Sequence, residues 1–463
     1  MHLYQLTLQR SNGIGCAVQG HFSGPREPEM VVSHGKAIEL LRADEGGKLL
    51  SLCHMECFGQ VRSMAAVRLP GANTDCLALG SDSGRLALVH YVAEREQFER
   101  IHLDSFGRSG IRRTVAGHYL VADPAGRALM VAAVEKQRVF YTLERDSNAL
   151  VSISAPIEAP RPGAVTFSVA ALDVGKKDNP LFACIESAYA DIEAGGETLK
   201  VLSFYEVDVS NKQVLKRTSE PIDPASNLVI AVPGASASGP GGVLVCAENK
   251  LAYFSAGGGG DDILTIIPRR AGMPVAQPLL ITAHTVLQQR GQTARLLLQS
   301  ELGDLYTVTF AVSASNVTAI NASYYDTLPV ATAMLALGPS PGGRLFVAGE
   351  FADHRLYQFV PAVAGSKEDV VTMVQCEAEG ERFQLPHFEP RGLRNLVALD
   401  SVESLAPVLD VQVCLSIVPC VHLCKRTRMQ PGRMCTCLCL SLRPLWTWCT
   451  QPRPGVNRAR AGM

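Results

Sequence analysis

LALGSDSGRLALVHY, residues 77–91, sets two apolar, β-prone runs on either side of Ser81, Asp82, Ser83 and Gly84. Glycine tolerates the positive φ of a tight turn, and the apolar flanks suit paired strands, so the stretch predicts a β-hairpin. The pattern returns with other residues at 120–141 (LVADPAGRALMVAAVEKQRVFY), 296–310 (LLLQSELGDLYTVTF) and 345–359 (LFVAGEFADHRLYQF). A looser copy at 243–254 turns at Glu248 and Asn249, and 180–208 holds two more runs around a Gly-Gly loop. The copies start near residues 77, 120, 181, 243, 296 and 345, which are 43 to 62 residues apart. Four-stranded units at about 40 to 50 residues, longer where loops are inserted, mark propeller blades. The expected fold is all-β, a seven-bladed β-propeller over residues 1–410.

Other segments fit the same frame. Residues 2–22 alternate apolar and polar around Asn12-Gly13 and read as a hairpin or closing strand pair. The run 30–41 reads as a hairpin turning at His34-Gly35, and 58–69 as an extended run ending at Pro70-Gly71. Between Ile101 and Gly117 lies a polar link with three glycines and three arginines. Further loops are expected at 155–163, 233–242 and 256–262, and an acidic surface loop at 377–389 around Phe383 and Phe388.

Charge and cysteine both divide the chain near residue 410. Residues 411–463 hold eight Lys and Arg and no Asp or Glu, which leaves 1–410 with a net charge of −9. A surface that binds nucleic acid through phosphates is expected to be basic, so the main body suits protein partners better, with nucleic acid at most indirect. Seven of the 14 cysteines are scattered through 1–410 among apolar neighbours and read as reduced core thiols. The other seven (Cys414, Cys420, Cys424, Cys435, Cys437, Cys439, Cys449) crowd the end, where only Cys420 and Cys424 have zinc-ligand spacing. The break in composition favours a disordered or gene-model-derived tail, 411–463, over a metal site. With no secretory leader pattern and no apolar run long enough to span a bilayer, an intracellular protein without a membrane partner is expected.

No catalytic pattern stands up. Asp82-Ser83-Gly84 matches the triplet of aspartic proteases, but that mechanism needs two such carboxylates and no second triplet exists. Gly13-Ile14-Gly15 lacks the spacing and following helix of a dinucleotide fingerprint. Positive pairs at Arg112-Arg113, Lys216-Arg217 and Arg269-Arg270 read as solvated loops. No enzyme, cofactor or metal is expected.

Long collinear stretches then carry a resemblance. They include MHLYQLTLQR, HFSGPREPEMVVSHGKAIELLR, DSFGRSGIRRTVAGHYLVADPAGRALMVAAVEKQRVFYTLERD, VPGASASGPGGVLVCAENKLAY, LFVAGEFADHRLYQF and FEPRGLRNLVALDSVESLAP. Through these, 1–410 resembles the N-terminal part of the splicing factor 3b subunit 3 family. The resemblance implies the first propeller of a multi-propeller, non-catalytic scaffold in the nucleus, acting in pre-mRNA splicing. Its implied partners are the helical-repeat subunit and small subunits of the splicing factor 3b complex, which selects the branch site. Relatives within the superfamily are a cullin ubiquitin-ligase adaptor that binds damaged DNA and a cleavage and polyadenylation factor, and the adaptor role is the alternative reading. The resemblance carries over Phe106, Arg108, Arg112, Arg113 and Arg145 as partner-contact residues. It departs near Val411, which leaves open whether the first propeller closes within this chain.

Overall fold

A computed structural model of the chain describes residues 10–24, 28–57, 59–106, 115–145, 151–159, 163–189, 199–234, 239–257, 263–274, 276–287, 295–313, 316–339, 342–360, 372–378, 381–405, 411–415 and 436–440. The chain divides into two units, 1–404 and 405–463.

The first unit is built from seven antiparallel sheets taken up in chain order, over 16–56, 61–105, 119–158, 164–222, 228–266, 281–327 and 331–402. These are the seven blades of a β-propeller. The first strand of each blade packs against the first strands of both neighbours, and Cys16–Gly20 of blade one meets Ala331–Leu337 of blade seven, so the ring is closed. Blade seven takes its fourth strand, Leu396–Val402, from within the chain, so no later segment is needed to finish it.

Sequence decides the radial position of each strand. Several first strands, CAVQG, VRSMAAV and ATAMLAL among them, carry small residues, which eases their convergence around an axis. Second strands such as EMVVS, ALMVA and VLVCA are buried along their whole length, because neighbouring blades cover both faces. Each fully buried Val, Leu or Ile there contributes about 1.5–3 kcal/mol relative to exposure. Outer strands alternate: Gln213–Ile222, QVLKRTSEPI, is exposed at every other residue.

The turn between second and third strands is also a joint between blades. Its leading N–H donates to the link that enters the blade: Asp82 to Gln60 O, 3.0 Å; Glu301 to Leu280 O, 3.0 Å; Glu350 to Val330 O, 2.8 Å. Because the turn must reverse the chain and keep that bond, left-handed residues recur in it, with φ of 72° at Gly84 and 64° at Asn249.

Several expectations are refined. The segment 120–141 holds three strands, because Glu135 and Lys136 make a second turn between Ala128–Ala132 and Arg138–Arg145. The polar link after Ile101 starts later than its composition suggests, since Gln97–Ser105 is a strand. Residues 2–9, one arm of the expected hairpin or closing pair around Asn12-Gly13, lie outside the described residues; Cys16–Gly20 pairs forward with Glu29–Ser33. The acidic stretch 377–389 is no loop: Thr372–Ala378 and Glu381–Phe388 form a hairpin. That hairpin leaves blade seven and pairs in parallel with Arg269–Arg270, which link blades five and six. Phe388 stacks on Tyr324 with ring centroids 4.0 Å apart and 12° between planes, which turns the excursion into a strap.

In the second unit the described residues form one antiparallel hairpin, Val411–Leu415 with Thr436–Leu440, in which Cys414 lies opposite Cys437. Cys420, Cys424, Cys435, Cys449 and His422 lie outside the described residues.

Candidate protein-interaction site

The link between blades two and three carries most of the residues implicated by the sequence, and its two ends are firmly held. Phe106 N–H donates to Gly84 O at 2.9 Å, and Phe106 O accepts from the Gln137 side chain. The Phe106 ring is 9% exposed and packs with Leu86, Ala116, Leu129 and Tyr141. It therefore anchors the link from beneath. At the other end, Gly117 (φ 68°) sits so close to the strand edge that a Cβ would lie 2.8 Å from Ser81 N, and Ser63 Oγ donates to Gly117 O at 2.7 Å. Val115 has φ 43°, a left-handed conformation that costs a β-branched residue about 1–3 kcal/mol and persists only because its surroundings hold it.

The stem is electrostatically quiet. Burial, then the Asp104 carboxylate that accepts its hydroxyl at 3.0 Å, pushes Tyr141 well above the usual phenol range. Burial, then nearby Arg62, lowers His118 and keeps it neutral.

Arg108, Arg112 and Arg113 lie outside the described residues. Arg145 is separated from the rest. It ends the strand Arg138–Arg145, seven residues beyond Arg138, and Gln137 just before that strand holds Phe106. At about 3.3 Å per residue the two positions are about 23 Å apart along the blade. Two of the five residues thus fall at opposite ends of blade three.

The remaining positive pairs are corrected. Lys216 and Arg217 lie in a strand: Lys216 Nζ is 2.8 Å from Glu186 Oε1, and Arg217 pairs with Glu206. Glu186 is 4% exposed and also binds Arg138, Ser203 Oγ at 2.7 Å and Tyr205 OH at 3.0 Å. Arg269 is 2% exposed, and Arg270 holds Asp304 through two bonds of 2.6 and 2.9 Å. Lys216 and Arg270 find buried carboxylates 30 and 34 residues away, while Arg269 donates to the Pro274 and Gln277 carbonyls. Asp82 acts as a turn residue, its Oδ1 accepting Gln60 N–H at 3.0 Å.

The first strands of the blades surround the central channel. Among the described residues, the seven first strands contain no Asp or Glu, and their ionisable members are Cys16, Arg62, Tyr119 and His284. Burial pulls His284 down to about 4, so it is neutral near pH 7. No group of three or more His, Cys, Asp or Glu among the described residues is placed to hold a metal ion, and no helix is long and apolar enough to cross a membrane.

Residues 13–390 match the family model described as the RSE1/DDB1/CPSF1 first beta-propeller. Spliceosome-associated protein 130 A of Arabidopsis thaliana is 41% identical over 420 residues, 89% of this chain and 34% of that protein. Splicing factor 3B subunit 3 of Danio rerio is 40% identical with the same coverage. Pre-mRNA-splicing factor RSE1 of Mycosarcoma maydis is 38% identical over 434 residues, 89% of this chain and 35% of that protein. The chain spans about a third of the length of these relatives.

Proposed function

Because the chain belongs to the RSE1/DDB1/CPSF1 first-propeller family, we propose that it is a non-catalytic scaffold of the splicing factor 3b complex in the nucleus. It supports branch-site recognition in pre-mRNA splicing through protein–protein contacts, with the helical-repeat subunit and small subunits as partners. One observation carries this reading: about 40% identity across 89% of the chain to proteins named for splicing. A propeller suits the role, since its rigid ring presents loops whose stems are fixed from both sides.

Within this reading Arg108, Arg112 and Arg113 contact a partner from a link stiffened by Phe106 and Gly117, and Arg145 serves a second contact at the far end of blade three. The first 410 residues act as the propeller, and 411–463 take no part in it. The relatives named above carry splicing names, so the ubiquitin-ligase adaptor reading has no observation of its own in its favour.

The test is mass spectrometry of the chain tagged at its N-terminus and purified from nuclear extract. Co-purification of splicing factor 3b subunits supports the scaffold role, and a cullin in their place overturns it. Reversing charge at Arg112 and Arg113 is expected to weaken the association while thermal unfolding stays unchanged. Normal association by that variant removes the link from the interface.

A further inference from the structure

Asn12 is the only one of the chain's 11 asparagines that is followed by glycine. In an Asn-Gly step the side-chain amide carbon and the next backbone nitrogen can close a five-membered ring. Glycine has no Cβ to obstruct the approach, and it leaves the backbone freest to turn. The structure sets this step in the seam where blade seven meets blade one.

Three bonds fasten the step to blade seven. Asn12 Nδ2 donates to Glu403 O at 2.9 Å. His354 Nε2 lies 2.9 Å from Asn12 O; a carbonyl can only accept, so Nε2 donates. Two residues on, Ile14 O accepts from Thr332 Oγ1 at 2.8 Å. Asn12 itself is half-buried, and with His34, Glu39, Phe346 and His354 it lines a groove of about 460 Å³ that is open to solvent. Water thus reaches an amide whose hydrogen bonds hold two blades together.

We propose that Asn12-Gly13 is a deamidation site whose conversion unfastens the seam. The Gly13 nitrogen gives its proton to hydroxide and bonds to Asn12 Cγ. The Cγ–Nδ2 bond breaks, and Nδ2 takes a proton from water and leaves as ammonia. Water then opens the cyclic imide on one side or the other, giving aspartate or isoaspartate. In both products a carboxylate, which only accepts, stands where the amide donated, so the bond to Glu403 O is lost. Isoaspartate also adds a carbon to the main chain and turns the carbonyl that His354 holds into a free carboxylate. Because Nδ2 must leave Glu403 O before it can depart, the reaction runs through the opened seam and its rate reports that opening.

The test is incubation of the full chain near neutral pH, with peptide mass mapping and isoaspartyl methyltransferase labelling. Asn12 is expected to convert ahead of the other asparagines, yet more slowly than in a synthetic peptide of residues 8–15. Gly13→Ala is expected to suppress the conversion. His354→Leu, which removes the donor to Asn12 O, is expected to speed it about fivefold, the factor one lost hydrogen bond allows in the opening equilibrium. Thr332→Val, which frees Ile14 O, should act in the same direction and serves if His354→Leu does not fold. The converted fraction carries one more negative charge and separates on an ion exchanger; its backbone amides near Ile14 are expected to exchange faster than those of the unconverted fraction. Four outcomes overturn the proposal: no conversion at Asn12 while the peptide converts, conversion as fast as in the peptide, no acceleration in either seam variant, or equal exchange in the two fractions.

Discussion

Two junctions of the ring share an apolar core and differ in what is added to it. Between blades five and six, the strap from blade seven brings Phe388 onto Tyr324 and Tyr306, and Arg270 clamps the fully buried Asp304. Between blades seven and one, Met30 and Val32 pack with Phe346, Ala348 and Leu356 in a buried apolar layer, and backbone-directed polar bonds are added to it: Asn12 Nδ2 to Glu403 O at 2.9 Å, Thr332 Oγ1 to Ile14 O at 2.8 Å, and His354 Nε2 to Asn12 O. A groove remains open beside them. The contrast teaches that a propeller need not be uniformly tight. Both junctions bury apolar side chains; the strapped one adds aromatic stacking and a desolvated ion pair, while the seam adds hydrogen bonds worth about 1 kcal/mol each.

Removing the strap's ring should have the largest effect. Phe388→Ala is expected to cost about 4 kcal/mol through lost burial and the cavity left between Tyr306 and Tyr324, read as a fall in the urea midpoint. Asp304→Ala comes next, at about 3 kcal/mol, because Arg270 and Thr327 lose their shared acceptor. Arg270 is 31% exposed and can recover some solvation, which keeps the figure at the low end. At the seam, Asn12→Ala is expected to cost about 1 kcal/mol and to show mainly as faster amide exchange near Ile14 and Glu403. If Asn12→Ala lowers global stability as much as Phe388→Ala, the contrast between the junctions is wrong.

Acid should sharpen the comparison. Burial, its largest influence, holds His354 below its ordinary 6.5 in the folded chain, so the unfolded chain takes up the proton first. The stability this group contributes is present above pH 6.5 and is lost as pH falls below it. Asp326, where the strap returns to blade seven, is raised above its ordinary 3.8 by burial, so mild acid does not weaken it and protonation favours the folded state. Lowering pH from 7.5 to 5.5 is therefore expected to reduce amide protection factors, corrected for the intrinsic pH dependence of exchange, more at the seam than at the strap. His354→Asn should remove most of that difference; a seam equally acid-sensitive in the variant assigns the effect to other groups.

The ring was legible in sequence because second strands are buried on both faces and so stand out as continuous apolar runs, each followed by a turn that must contain residues such as Gly84 or Asn249. First strands and alternating outer strands carry weaker signals, which is why 120–141 looked like two strands when it holds three. The strap was hidden for a different reason. Its sequence is acidic and so reads as a loop, and its stacking contact, Phe388 on Tyr324, joins residues 64 positions apart. Arg145 and Phe106 show the same limit in the site: resemblance can nominate both, but only the strand direction of blade three reveals that they face opposite ends. The groove at the seam drew no notice in sequence, since His34, Glu39 and His354 come from blades at the two ends of the chain.

Closure has a kinetic corollary. A linear array of repeats frays from its ends, losing one interface for each unit released. In the ring formed by these first strands every blade has two neighbours, so the first opening frees nothing, and the second must break before any blade departs. Local opening should therefore begin at the seam yet stay there, a molecule that breathes at one joint and otherwise lets go all at once.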